Sequence, residues 1–488
     1  MKKFKKISIL FIIIICFFNI ESFAMAANYN SYTYNEWKES VAAPASYAPL
    51  VSKTGNMIGV GGLKEPQDIF MDVQGNLYIA DTANNRVVIT DKDLNLLRVL
   101  NKVYINGNEE EIIGPTGLYI SEDNILYISQ PSLSRILLIK DDQVIQIIEK
   151  PVNSLISEDF IFEPTKIGVD IYGRLYVLSK GSYTGLLKFD QNGEFMDFFG
   201  ANKVEVTSKV LFQYMWKNIL SDTQRSSMTS IIPIEYSNIH CNEDGFIYTT
   251  TVGTSSPYNQ VKKLNPLGNN TYKRQGNREI NFGDYERSYN LASTVDSSFI
   301  DLKVDEEGFI FGLDYTRGRI FERDQEGNLI SVFGGIGNQF GTFTTPIAIE
   351  TYDRHVYILD SLKNNITIFK PTEYGLLLRE ATVLYNAGKY EESAKTWEEL
   401  IKRNNNNILV YEGLGKAFVQ EGEYRQALAN LKKGGERYSY SRAFAKTRLD
   451  TIRQYGPYII FALIVMIIVL NIFKGVKKLK DRRSRREK

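Results

Sequence analysis

Two histidines and two cysteines are all that the 488 residues hold, and each shortage removes a kind of chemistry. Cys16 falls in an apolar run at the N-terminus, so Cys241 is left by itself and an intramolecular disulfide is excluded. A domain of this size must then be stable through its core alone, which roughly 430 residues allow. His240 and His355 are too few for a three-histidine zinc site. His240 and Cys241 are adjacent, and adjacent residues on a strand point to opposite faces, so they are not expected to share one metal. There is no glycine-rich phosphate loop, nucleophile elbow or zincin helix. An excess of positive charge is missing too. Of 58 basic and 57 acidic residues, the N-terminus takes four lysines and Glu21, and the C-terminus nine basic and two acidic residues; the 45 and 54 that remain give a net of −9. That balance excludes a nucleic-acid binder.

What is present begins at the two ends. Met1-Lys2-Lys3-Phe4-Lys5-Lys6, followed by an apolar run from Ile7 to Ile20, has the layout of a secretory signal peptide. Ser22-Phe23-Ala24 and Ala24-Met25-Ala26 place small residues for cleavage after Ala24 or Ala26. Cys16 is no lipoprotein signal, because the bulky Ile15 precedes it. Near the other end, Pro457 to Phe473 reads PYIIFALIVMIIVLNIF without a charge, close to the ~20 residues that span a bilayer. Lys474, Lys477, Lys478, Lys480, Arg482, Arg483, Arg485, Arg486 and Lys488 follow as a stop-transfer tail that the positive-inside rule keeps in the cytoplasm. The expectation is an exported bacterial protein of the cell membrane, single-pass, with its N-terminal domain extracytoplasmic and its C-terminal tail cytoplasmic.

Between the ends the chain repeats itself from Leu63 to Lys370. The unit from Pro66 to Leu100 holds four β-rich runs, Asp68–Met71, Leu77–Ala80, Arg86–Thr90 and Leu96–Leu100, separated by turn residues. Five further units follow the same order, with aromatic anchors at Tyr78, Tyr127, Tyr176, Tyr248, Phe311 and Tyr357. Four short antiparallel strands form a sheet with two faces to bury, and such sheets are stable when arranged radially. The stretch from Tyr78 to Val87, YIADTANNRV, carries a resemblance to the NHL-repeat family of β-propellers, and Leu313-Asp314 with Gly318-Arg319-Ile320 and Leu359-Asp360 with Asn364-Asn365-Ile366 match it more loosely. In units two to four, Ser129-Gln130, Leu178-Ser179 and Thr249-Thr250 replace the aspartate pair. The resemblance implies a six-bladed propeller over residues 63–370. Its sixth unit stops at Pro371 with three strands, so Tyr47–Thr54, within an N-terminal segment spanning 27–62, is expected to supply the fourth.

An insertion at about 205–235 has a helical pattern through Leu211, Phe212, Met215, Trp216, Ile219 and Leu220 and is expected to cap one propeller face. After Pro371 helices take over. Gly388 to Gly422 and Tyr390 to Tyr424 are both 34 residues apart, the period of tetratricopeptide (TPR) repeats, which residues 371–455 resemble. The fold class is thus mainly β: signal peptide 1–26, a six-bladed NHL-type propeller, a TPR-like helical segment, a transmembrane helix at 457–473 and a basic tail at 474–488.

Two functions compete. Among propellers that the repeats resemble, the gluconolactonase-like group holds a divalent metal with Glu, Asn and Asp at the central channel, and the amidating lyases place histidines on zinc. With histidines missing, the preferred reading is not an enzyme: a membrane-anchored scaffold whose propeller recognises a protein or carbohydrate partner, in the membrane or cell wall, and whose helical repeats assist assembly, accessory to a membrane transport system. No cofactor is expected on that reading. The alternative is a lactonase, sugar hydrolase or lyase that needs calcium or another divalent metal, and four acidic or amide side chains meeting at the channel would favour it. For a binding surface, Asp81, Asn85, Arg86, Asp314, Arg317, Asp360 and Asn364 lie on equivalent turns of blades one, five and six, where Asx turns give them a structural role as well.

Overall fold

The computed structural model describes residues 29–182, 184–200, 235–252, 260–272, 281–284 and 296–484. The expected signal peptide, all but the last residue of the expected helical insertion, and the end of the basic tail lie outside them. The chain divides into two compact units, a propeller unit that ends at Leu376 and a mainly helical unit made of Leu377 onward together with the short segment Tyr34–Val41.

The first unit is a six-bladed β-propeller. Its inner strands are β1 (Asp68–Met71), β2 (Leu118–Ile120), β3 (Pro164–Val169), β4 (Asn238–Cys241), β5 (Phe299–Val304) and β6 (Pro346–Tyr352). Each is followed outward by antiparallel neighbours, as in blade one, where Leu77–Asp81, Arg86–Thr90 and Leu96–Leu100 continue the sheet. Both faces of a blade are apolar because both are buried. Leu77, Ile79 and Val88 of blade one pack with Leu359, Ile366 and Ile368 of blade six, whereas Ala80, Val87 and Leu100 pack with Leu118, Ile128 and Leu137 of blade two. Hairpins are set by a repeated aspartate: Asp72 accepts the amides of Gln74 and Asn76, Asp170 those of Tyr172 and Arg174, and Asp305 those of Glu307 and Phe309. Gly75, Gly173 and Gly308 close these turns at φ 85°, 71° and 82°, where a side chain would be strained.

The ring closes with strands from both ends of the unit. Tyr47–Thr54 is the fourth strand of blade six, pairing with Asn365–Pro371 from Asn365 opposite Thr54 to Pro371 opposite Tyr47. Tyr47, fully buried, stacks on Phe333 at 4.5 Å and meets Phe311 edge-on at 5.9 Å, so blades five and six share one side chain. Farther upstream, Tyr32 lies opposite Val332 on the outer strand of blade five.

Blade two departs from the four-strand pattern. A hairpin, Lys102–Ile105 with Asn108–Glu111, precedes β2 and extends the sheet to six strands through a parallel pairing of Tyr104 with Gln143. Its turn is Asn106-Gly107, both at positive φ, the strongest short hairpin signal a sequence offers. Acidic side chains at Glu109, Glu110 and Glu111 line the new edge, which discourages pairing with another sheet.

In the second unit, α1 (Glu373–Asn386), α2 (Tyr390–Arg403), α3 (Ile408–Glu421) and α4 (Tyr424–Gly434) form successive hairpins, and α5 runs from Arg437 to Ser484. Tyr390 and Tyr424 open α2 and α4 two residues after the left-handed Gly388 and Gly422. Glycine lets the helices meet: a Cβ on Gly413 would lie 2.4 Å from the Trp397 ring, and one on Gly415 2.5 Å from Leu431. The helix α5 is long and apolar enough to cross a membrane, and continues through Pro457.

Candidate functional site on the propeller axis

The register of the inner strands builds a site that the repeats by themselves do not show. Each inner strand has an aliphatic residue at the same register against its second strand: Ile69, Leu118, Ile167, Ile239, Leu302 and Ile349. Apart from Ala348 the flanking residues are polar, charged, aromatic or glycine, and pairing with the second strand places them at equivalent heights. One level holds Phe70, Tyr119, Gly168, His240, Lys303 and Glu350, each opposite its blade's aromatic anchor. The other holds Asp68, Gly117, Lys166, Asn238, Asp301 and Ala348.

Contacts between non-adjacent blades locate these residues on the axis. The Lys166 ammonium of blade three reaches Asp68 of blade one at 2.5 Å. Lys303 of blade five lies 5.1 Å from the centre of the Phe70 ring in blade one and pairs with Glu350 of blade six at 2.8 Å. Asn238 donates from its amide to Asp301, and the other Asp301 oxygen accepts the Ile349 amide at 2.9 Å. Asp68 likewise accepts the Leu118 amide at 2.9 Å. Three carboxylates and two ammonium groups therefore hold one another around the axis.

Burial sets the protonation of this cluster. It pushes Asp301 up to about 6, against the opposing pull of Lys166. It pushes Glu350 up to about 7, against Lys303. Asp68 is raised by burial more than Lys166 lowers it. Burial alone would depress Lys166, but Asp68, Asp301 and Glu350 outweigh it and keep the ammonium charged. His240 is held well below its ordinary range by burial and then by Lys303, so its ring stays neutral. Chemically the site can hold a proton near neutrality on Glu350 or Asp301, the range a general acid or base works in. Asp68, Asn238, Asp301 and Glu350 do converge, as a metal-binding propeller requires. Their oxygens, however, already serve lysine ammonium groups and backbone amides, and among the described residues no group of three or more His, Cys, Asp or Glu side chains is arranged to hold a metal ion.

The seven residues expected on the turns are placed apart from the axis and are engaged locally. Strands alternate in direction, so the turns after each second strand share a face with the segments leading into the inner strands. Asp81 accepts the amide of Lys64, the side-chain amide of Asn84 and the Arg86 guanidinium, the last at 2.7 Å. Asp314 accepts the amides of Ser298, Thr316 and Arg317. Asp360 accepts those of Thr344, Thr345, Leu362 and Lys363. Each aspartate thus clamps its turn to the segment entering its own blade. Asn85 and Asn364 sit at φ 53° and 51°, a conformation that asparagine tolerates; Ser134 and Gly318 take the same place in blades two and five. Arg317 reaches Asp284. Where the aspartate is replaced the clamp persists in other chemistry: Gln130 donates to the Ile113 carbonyl, the Ser179 hydroxyl accepts the Glu163 amide, and the Thr250 hydroxyl meets that of Ser237 at 2.7 Å.

No protein-family model and no curated protein matches the chain. Several solved structures resemble it at low identity. A catalytically inactive virginiamycin B lyase from Staphylococcus aureus, bound to quinupristin, is 11% identical over 64% of this chain and 81% of its own, with a TM-score of 0.39. A gluconolactonase-like protein is 11% identical over 70% of this chain and 98% of its own, with a TM-score of 0.40. A Bacteroides thetaiotaomicron protein of unknown function is 12% identical over 70% and 76%, with a TM-score of 0.41. At these levels the likeness carries no inference about activity.

Proposed function

We propose that the chain is a membrane-anchored, extracytoplasmic scaffold. On this reading an NHL-type propeller recognises a protein or carbohydrate partner, TPR-like helices assist assembly, and α5 holds both to the membrane with the basic tail inside, in the service of a transport system. The observation that carries the non-enzymatic part is the axis. Two lysines face the three carboxylates there, and a metal ion would have to displace an ammonium group from a largely buried site. The displaced ammonium group would be left buried without its carboxylate, and a buried charge stripped of its partner costs about 3–5 kcal/mol, which opposes the exchange. The apolar, uncharged run in α5 supports the anchor, and the flanking cations support its direction.

The reading is tested in two steps. Alkaline carbonate extraction of membranes from expressing cells should leave the chain in the pellet, and protease added outside should remove the propeller while sparing the tail. Elemental analysis of the purified full chain should find less than stoichiometric calcium or zinc. The convergence of Asp68, Asn238, Asp301 and Glu350 favours a second reading, a metal-dependent lactonase. Stoichiometric metal whose removal by chelator abolishes lactone hydrolysis would establish that second reading and sink the first.

A further inference from the structure

The first twenty residues of α5, ahead of Pro457, carry an unpartnered face. The buried side is marked by Ala443, which is fully covered, with Tyr440 and Thr447 partly so. On the opposite side Ala445, Leu449, Ile452 and Gly456 recur at alternating spacings of four and three, which keeps them in one line on a helix. Leu449 and Ile452 are 45% and 58% exposed. The line does not stop at the membrane: Ile459, Leu463, Met466, Leu470 and Phe473 continue it at the same spacings to the end of the apolar run.

Charge decides what this line fits. Arg448 flanks it on one side, with Arg442, Lys446 and Arg453 on the other, all exposed. Among the described residues only Arg453 has a carboxylate near, Asp450 at 3.9 Å. In a parallel pair of identical helices, the positions flanking the seam face each other across it. Arg448 of one copy would then meet Arg453 of the next, which disfavours self-pairing. Lipid cannot cover the apolar part. At ~1.5 Å per residue, Leu449 stands about 12 Å before Pro457 along the helix, beyond a headgroup layer some 5–7 Å deep.

We infer that this face of α5 binds a second protein's helix that leaves the bilayer alongside it, with an apolar line spaced by threes and fours and acidic residues on both flanks. The inference rests on the membrane-anchored reading and names the kind of partner it requires. It is tested with the full chain in phosphatidylcholine nanodiscs, using two synthetic fluorescent peptides as probes. Both carry a leucine line through a transmembrane helix and two turns beyond; one has glutamates on its flanks and the other lysines. Energy transfer to a labelled chain should saturate with the glutamate peptide at a Kd at least about fivefold lower than with the lysine peptide. The double variant R448E/R453E should reverse that preference. Equal affinity for the two peptides overturns the inference, as does self-association of the chain that competes with both. Loss of the difference when phosphatidylglycerol is added assigns the cations to lipid and overturns it as well. A chain that fails to enter the nanodisc at all refutes the anchored reading itself, which separates the two failures.

Discussion

Glu350 offers a direct way to test the axial cluster. Its carboxyl titrates at about 7 in the folded protein against an ordinary 4.5, because burial outweighs the attraction of Lys303 2.8 Å away. The folded state therefore binds more protons than the unfolded state between these values, and stability rises as pH falls, the reverse of ordinary acid denaturation. From pH 8 to pH 6 the linkage amounts to about 1.5 kcal/mol. His240 works against this trend: its ring stays neutral when folded, so protons taken up by the unfolded chain below its ordinary 6.5 cost stability. The variant E350Q removes the first effect and leaves the second. Thermal unfolding of both proteins across pH 6–8 should show the wild-type midpoint gaining on the variant by roughly 3 °C as pH falls. The substitution also changes the contact with Lys303, so the comparison rests on slope and not on level. Parallel slopes would refute the reasoning. They would mean that Glu350 is ionised throughout and that the axis is wetter than its burial implies.

Other changes follow the same logic. K166M should cost about 3–5 kcal/mol by leaving Asp68 buried without its partner, and D68N added to it should restore most of the loss in the same unfolding assay. Y47A removes a fully buried ring from between blades five and six and should cost about 3–5 kcal/mol, with trypsin cutting early at Lys53 as the closing strand detaches; Y47F, which keeps the ring and gives up the hydroxyl's 3.4 Å contact to Glu322, should cost under about 1 kcal/mol. D81A removes the acceptor for Lys64, Asn84 and Arg86 and should cost about 2–3 kcal/mol, measured by denaturant unfolding, while binding of any partner stays within twofold.

The propeller was legible because its signals are redundant. A Gly or Asn turn, an aromatic anchor and alternation of period two recur in six places, and the strands of blade one fall within a residue of those expected. The closing strand could be inferred from a shortage, since the sixth unit had three strands and YAPLVSKT was at hand. The hairpin of blade two carries the Asn106-Gly107 turn signal, but Asn108–Glu111 is acidic and does not read as a strand. The axial cluster was hidden for a different reason. Asp68, Lys166, Asp301 and Glu350 come from four blades and share no motif; what they share is a place beside the register-matched aliphatic residue of an inner strand, which carries meaning only once six strands are set around an axis. At the turns, asparagine and aspartate repeat visibly in the sequence, and the backbone amides that Asp81, Asp314 and Asp360 accept account for the repetition.

Closure by Tyr47–Thr54 also bears on how such a chain can be made. Ser52 and Asn365, which bond across the seam at 2.8 Å, stand 313 residues apart. Contacts so distant in sequence form late and slowly. Synthesis must therefore reach Pro371 before the ring can shut, and until then blades five and six lack the tyrosine they share. If the chain is exported, as proposed above, the propeller stays open along the way and locks only when its last blade is complete.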